Sequence, residues 1–92
     1  MTPILRFYTI MEHLEDDERI ASYLIAEHCK CDPKKVYKHL LNGRFEKYVT
    51  ILEEALKNIE DIEKYCKDTI YKAETSRDPL LVHTDFENIG NN

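Results

Sequence analysis

The sequence predicts an all-α protein with three short helices at about residues 3–15, 16–30 and 33–42. One long amphipathic helix follows at about 44–73, and then an irregular C-terminal tail. Three observations carry this reading. Glycine and proline number only two and three in 92 residues, and they punctuate the chain instead of falling inside its periodic segments. Apolar residues recur in steps of three and four, the period of one helix face. Good capping residues stand where those periodic segments begin. Residues 1–76 are expected to form a single helical domain, with 77–92 as a tail.

The first helix opens with Thr2 as cap and Pro3 at the first helical position, where a missing N–H costs nothing. Ile4, Phe7, Tyr8, Met11 and Leu14 fall on one face, the face expected to be buried. The second helix starts around Asp16-Asp17-Glu18, three carboxylates placed where the positive end of the helix dipole favours them. It is expected to bury Ile20, Tyr23, Leu24 and Ile25. Asp32 and Pro33 open the third helix in the same manner as Thr2 and Pro3, and Asn42-Gly43 stops it.

From Arg44 to Ala73 there is no proline or glycine, and Phe45, Val49, Leu52, Leu56, Ile59, Ile62, Cys66 and Ile70 trace one stripe. A single helix of that length would extend roughly 45 Å, longer than the preceding helices can cover. Part of the stripe, namely Val49, Leu52, Leu56 and Ile59, is therefore expected to meet a second copy and form a homodimer. A domain this small buries only about two-thirds of its chain surface on folding, so a partner chain would add stability. Beyond Ser76 the helical period is lost. Arg77-Asp78-Pro79 reads as a turn, and Leu80-Leu81-Val82 as a short strand or a docked hook.

The stretch from Ile25 to Gly43 reads as two short helices joined by a tight turn, the second helix strongly basic. Ile25, Ala26, Cys29, Cys31 and Val36 would form the seam between them, and Lys34, Lys35, Lys38 and His39 would face outward. This segment resembles the helix-turn-helix DNA-binding family. Ala26 matches the small residue where the first helix meets the second, and Val36 the buried residue of the recognition helix. Lys30 stands where the family usually carries glycine, so the turn must either hold a lysine at positive φ or differ in shape. His39 falls where an apolar residue is common. The resemblance implies a small regulator that binds duplex DNA through Lys34, Lys35, Lys38, His39 and Arg44.

Charge follows the same division. Residues 1–27 hold two basic and six acidic side chains, residues 28–48 six and two, and residues 49–92 five and ten. The basic middle coincides with the third helix, while the acidic remainder would repel phosphates and restrict docking to one pose. A second feature points elsewhere. Glu46, Glu53 and Glu60 are spaced by seven, as are Glu54, Asp61 and Asp68, so a continuous helix would carry two acidic rows opposite its apolar stripe. Small acidic helical proteins of this kind look like the DNA-mimic inhibitors that phages use against host restriction enzymes. That resemblance implies, as the alternative, carboxylates presented to a host DNA-binding protein or nuclease. Lys57, Lys64, Lys67 and Lys72 dilute the rows.

Enzymatic chemistry is not expected. The sequence holds no glycine-rich phosphate loop, no G-x-S-x-G elbow and no dinucleotide fingerprint. No cofactor is indicated. His28, Cys29, Cys31 and His39 lack the paired spacing of a structural zinc site, so no metal is expected, and the three cysteines read as reduced and buried. Phe7, Tyr8, Tyr23 and Phe45 fit the apolar faces and are assigned to the core rather than to base stacking. No run approaches the roughly eighteen apolar residues needed to span a membrane, and no secretory leader is evident, so a cytoplasmic location is expected.

Overall fold

The computed structural model describes residues 2–76, and the tail assigned to 77–92, with its Leu80–Val82 hook, lies outside the described residues. Among them the fold is all-helical. Helices α1 (Pro3–His13), α2 (Glu18–Cys29), α3 (Pro33–Leu41), α4 (Val49–Lys57) and α5 (Ile62–Glu74) follow in order, with a short 3-10 turn at Glu46–Tyr48 before α4.

The helix starts obey local chemistry. The side chains of Thr2, Asp17, Asp32 and Asp61 accept from backbone N–H groups of α1, α2, α3 and α5, satisfying donors that have no partner inside the helix. The stops are equally local. Gly43 at φ +76° ends α3, with Arg44 N–H donating to His39 C=O at 2.8 Å and Gly43 N–H to Leu40 C=O at 3.1 Å. Lys30 ends α2 in the same left-handed conformation without being a glycine. Glu15 and Asp16, also at positive φ, turn the chain from α1 into α2.

Every residue of α2 from Arg19 to Ala26 is buried, so α2 is the central helix, enclosed by α3, α4 and α5. Ile20, Leu24 and Ile25 meet Phe7, Ile10, Met11 and Leu14 of the first helix-and-turn segment, Val36 and Leu40 of α3, and Val49, Leu52 and Ala55 of α4 in one core. On α1 the buried face is rotated from the expected one. Ile4 and Tyr8 are 44% and 55% exposed, and Ile10 is buried in their place.

The expected long helix over 44–73 is not formed. It is broken into the 3-10 turn, α4 and α5, with the chain leaving helical geometry from Asn58 to Asp61. Asn58 closes α4 through its backbone N–H, which donates to Ala55 C=O at 3.1 Å, and the Asp61 side chain caps α5, accepting from Lys64 N–H at 3.1 Å. The break lets the second half of the stripe pack on the chain's own helices. Cys66 joins the main core, while Ala73 covers Tyr23 and Tyr37 in a second, smaller cluster.

This also changes the expected dimer stripe. Val49 and Leu52 are 1% and 0% exposed within a single chain, and Leu56 and Ile59 are packed partly against the same core. Val49 and Leu52, sealed by their own fold, cannot form a seam with a second copy, so that half of the stripe expected for dimerisation is intramolecular.

Candidate nucleic-acid interface

Helix α2 ends at Cys29, residues 30–32 make the turn, and α3 begins at Pro33, the closest helix pairing in the fold. Two hydrogen bonds shape the turn. Cys31 N–H donates to Ala26 C=O at 3.1 Å, wrapping the chain around Lys30, whose φ and ψ are 57° and 49°. Asp32 Oδ1 then accepts from Lys34 N–H at 3.0 Å and starts α3. The lysine therefore takes the positive-φ conformation that glycine would hold without strain.

Val36, Tyr37 and Leu40 turn inward along α3, and Lys35, Lys38, Leu41 and Asn42 turn outward. Lys34 lies half-buried at the edge of that outer face, and Arg44 is exposed just past the helix end. Lys34, Lys35, Lys38 and Arg44 are thus carried by one helix and its exit. His39 is different. It is half-buried, its Nδ1 lies 2.8 Å from the Tyr48 hydroxyl, and the two rings stack with centroids 6.1 Å apart. Its ring chiefly fastens α3 to the 3-10 turn. Lys47, exposed beside Arg44 in space along this loop, sets its ammonium 5.2 Å from the Tyr48 ring centre.

The expected seam between α2 and α3 holds at Ile25, Ala26 and Val36 but not at the cysteines. Cys29 and Cys31 are exposed, and only Cys66 is buried. Tyr37 adds a contact of its own: it is fully buried with Tyr23 and Ala73, so the C-terminal end of α5 covers one flank of α3. Burial and the neighbouring Asp17 and Glu18 carboxylates hold its hydroxyl above the ordinary tyrosine range. The inward pair Val36-Tyr37, followed by Leu40, is the sequence signal that marks this wider contact.

Arg19 is the other residue that pattern reading missed. Its side chain is 6% exposed, donates to Asp17 Oδ1 and Oδ2 at 3.1 and 2.9 Å, and reaches Glu74 at 3.7 Å. It joins the start of α2 to the end of α5, and its charge-assisted hydrogen bonds offset the cost of burial.

The acidic rows do not form on one helix. Glu53 is half-buried and ion-paired with Arg6, whose Nε donates to Glu53 Oε2 at 3.0 Å while Nη2 donates to Oε1. Asp61 is a helix cap, and Asp68 sits 3.8 Å from Lys64 in an exposed i,i+4 pair. Glu46, Glu54 and Glu60 remain exposed, on three different segments. A groove of about 630 Å³ between α1, α4 and the start of α5 is lined by Arg6, Ile10, His13, Leu56 and Ile62 and includes no residue of α3.

No cluster of histidine, cysteine and carboxylate side chains able to hold a metal ion occurs among the described residues. No helix among them is long and apolar enough to cross a membrane. In comparisons with protein-family models, curated proteins and solved structures, nothing matches the chain significantly.

Proposed function

We propose that this chain binds duplex DNA through the outer face of α3, as a small regulator of helix-turn-helix type. The observation that carries the reading is the turn at residues 30–32. It is three residues long, is left-handed at Lys30, and leads directly into a helix presenting Lys35 and Lys38 outward with Lys34 at its edge. A left-handed first residue is what the family's usual glycine supplies. That a lysine holds the same geometry supports the resemblance at the point where the residue type departs from it. Electrostatics adds support, since the basic stretch 28–48 lies between two acidic ones and would orient the protein on phosphates.

Phosphate contacts would come from Lys34, Lys35, Lys38 and Arg44, with His39 a minor contributor because Tyr48 holds its ring. Such contacts position the helix, and base discrimination would fall to its outward side chains. The acidic-mimic reading has no comparable support, because its two rows are divided among separate segments and partly neutralised. Dimerisation through Val49, Leu52, Leu56 and Ile59 does not enter the proposal.

Fluorescence anisotropy with a labelled random duplex tests it. Four phosphate contacts give a slope of log K against log salt of about −3.6, so affinity should fall about 150-fold between roughly 50 and 200 mM salt. Replacing Lys35 and Lys38 together with Glu should abolish binding at about 50 mM salt while leaving helicity unchanged, because both side chains are exposed. Parent protein that leaves the duplex unbound at about 100 μM and 50 mM salt, where nonspecific binders associate, would refute the reading.

A further inference from the structure

The turn that leads into α3 carries chemistry that duplex binding does not use. Cys29 is the last residue of α2 and Cys31 the second residue of the turn, and both thiols are exposed and unpaired. With planar trans peptides, the separation of their Cα atoms depends only on φ and ψ of the residue between them. Lys30, at 57° and 49°, is close to the mirror image of an α-helical residue, and mirror images share every distance. Along an α-helix, residues two apart have Cα atoms about 5.4 Å apart, from a radius of about 2.3 Å and a rise of about 1.5 Å per residue. The same separation holds for Cys29 and Cys31. It lies within the roughly 4.4–6.8 Å found for disulfides, near the commonest value. An extended residue at position 30 would place them about 7 Å apart, outside that span.

We infer that Cys29 and Cys31 close into a reversible intramolecular disulfide, so that the turn between α2 and α3 is a modification site for small disulfides of the glutathione class. The step balances without any further reactant. One protein thiolate attacks the small disulfide, forming a mixed disulfide and releasing one thiol. The second protein thiolate attacks the protein sulfur of that mixed disulfide and releases the other thiol. The protein loses two hydrogens, and the small disulfide gains them as two thiols. Two sulfurs held on one turn meet at an effective concentration of millimolar or above, which favours this closure over pairing between molecules at micromolar concentration.

Cys66 takes no part. It is 1% exposed, its Sγ donates weakly to the His13 carbonyl at 3.7 Å, and burial pushes its thiol up to about 11, leaving little thiolate at neutral pH. The bridge spans Lys30 and would hold it in its left-handed conformation, fixing how α3 seats on α2 whatever α3 binds.

The full-length protein, at micromolar concentration, is equilibrated over a series of oxidised-to-reduced glutathione ratios. It is then quenched with N-ethylmaleimide in denaturant and read by intact mass and peptide mapping. The expected oxidised species is a monomer two hydrogens lighter with a single maleimide, on Cys66. C29S and C31S each alter an exposed side chain, and each should remove that species and leave a glutathione adduct on the remaining turn thiol. Two glutathione adducts on the parent protein, a disulfide-linked dimer as the main oxidised form, a bridge containing Cys66, or three maleimides at every ratio would each overturn the proposal. None of these readouts depends on DNA, so failure here is distinct from failure of duplex binding.

Discussion

Replacing Lys30 with glycine should stabilise the protein, the reverse of what a glycine substitution inside a helix does. A Cβ in the left-handed region costs about 1–2 kcal/mol. Glycine gives back about 0.5–1 kcal/mol of that because it loses more chain entropy on folding. The Lys30 side chain is exposed, so little packing is lost with it. The net expectation is a gain of about 0.5–1 kcal/mol, which for a domain of this size raises Tm by about 2–8 °C. Lys30→Ala is the control, since it removes the same side chain but keeps the Cβ and should leave Tm nearly unchanged. Thermal melts followed by circular dichroism at one protein concentration read both variants. If Lys30→Gly melts below Lys30→Ala, position 30 is not left-handed, and the turn geometry behind both the DNA proposal and the Cys29–Cys31 bridge is wrong.

Leu52→Ala should cost about 3 kcal/mol through the cavity it leaves in a fully buried site. Its melting temperature, like the parent's, should not change with protein concentration, whereas a residue in a dimer seam would make it do so. The Arg6 guanidinium, by hydrogen bonding, holds the Glu53 carboxyl below the ordinary carboxylate range. A depressed folded pKa contributes stability above the unfolded value, about 4.3, and that stability is lost as pH falls through the folded value. The parent should therefore lose more stability than Arg6→Met between about pH 5 and pH 2 in urea titrations. Coincident pH profiles for the two proteins would dissociate the pair from acid sensitivity.

Several features of this chain were legible from residues close together in sequence. Thr2 with Pro3, Asp32 with Pro33, and Asn42 with Gly43 mark boundaries because a cap satisfies backbone groups within a few positions of itself, whatever the rest of the chain does. Lys30 stood out only through the resemblance, which places a glycine there, and of the two outcomes left open, a lysine at positive φ or a turn of different shape, the first is found. The all-helical class, and the placement of Lys35 and Lys38 on the outer face of α3, follow from period and composition alone.

Other features depend on which surface covers which. The stripe from Phe45 to Ile70 has the period of one helix, yet the chain breaks at Asn58–Asp61. Folding α5 back onto α2 buries Cys66 and Ala73 against groups already present, while a straight helix would leave them waiting for another molecule. Asn58 and Asp61 permit that break but do not demand it, because either residue can also sit within a helix at modest cost. Arg19 could not be read as buried, since its partner Glu74 lies at the far end of the described fold. Tyr37 could not be assigned to the core without Ala73, which covers it from the far end of the described chain. Hydrogen bonds at helix ends are short-range and directional, so the sequence by itself determined where most helices begin and stop. Apolar burial is non-directional and indifferent to separation along the chain, so only the tertiary structure decided which faces were covered, and by what.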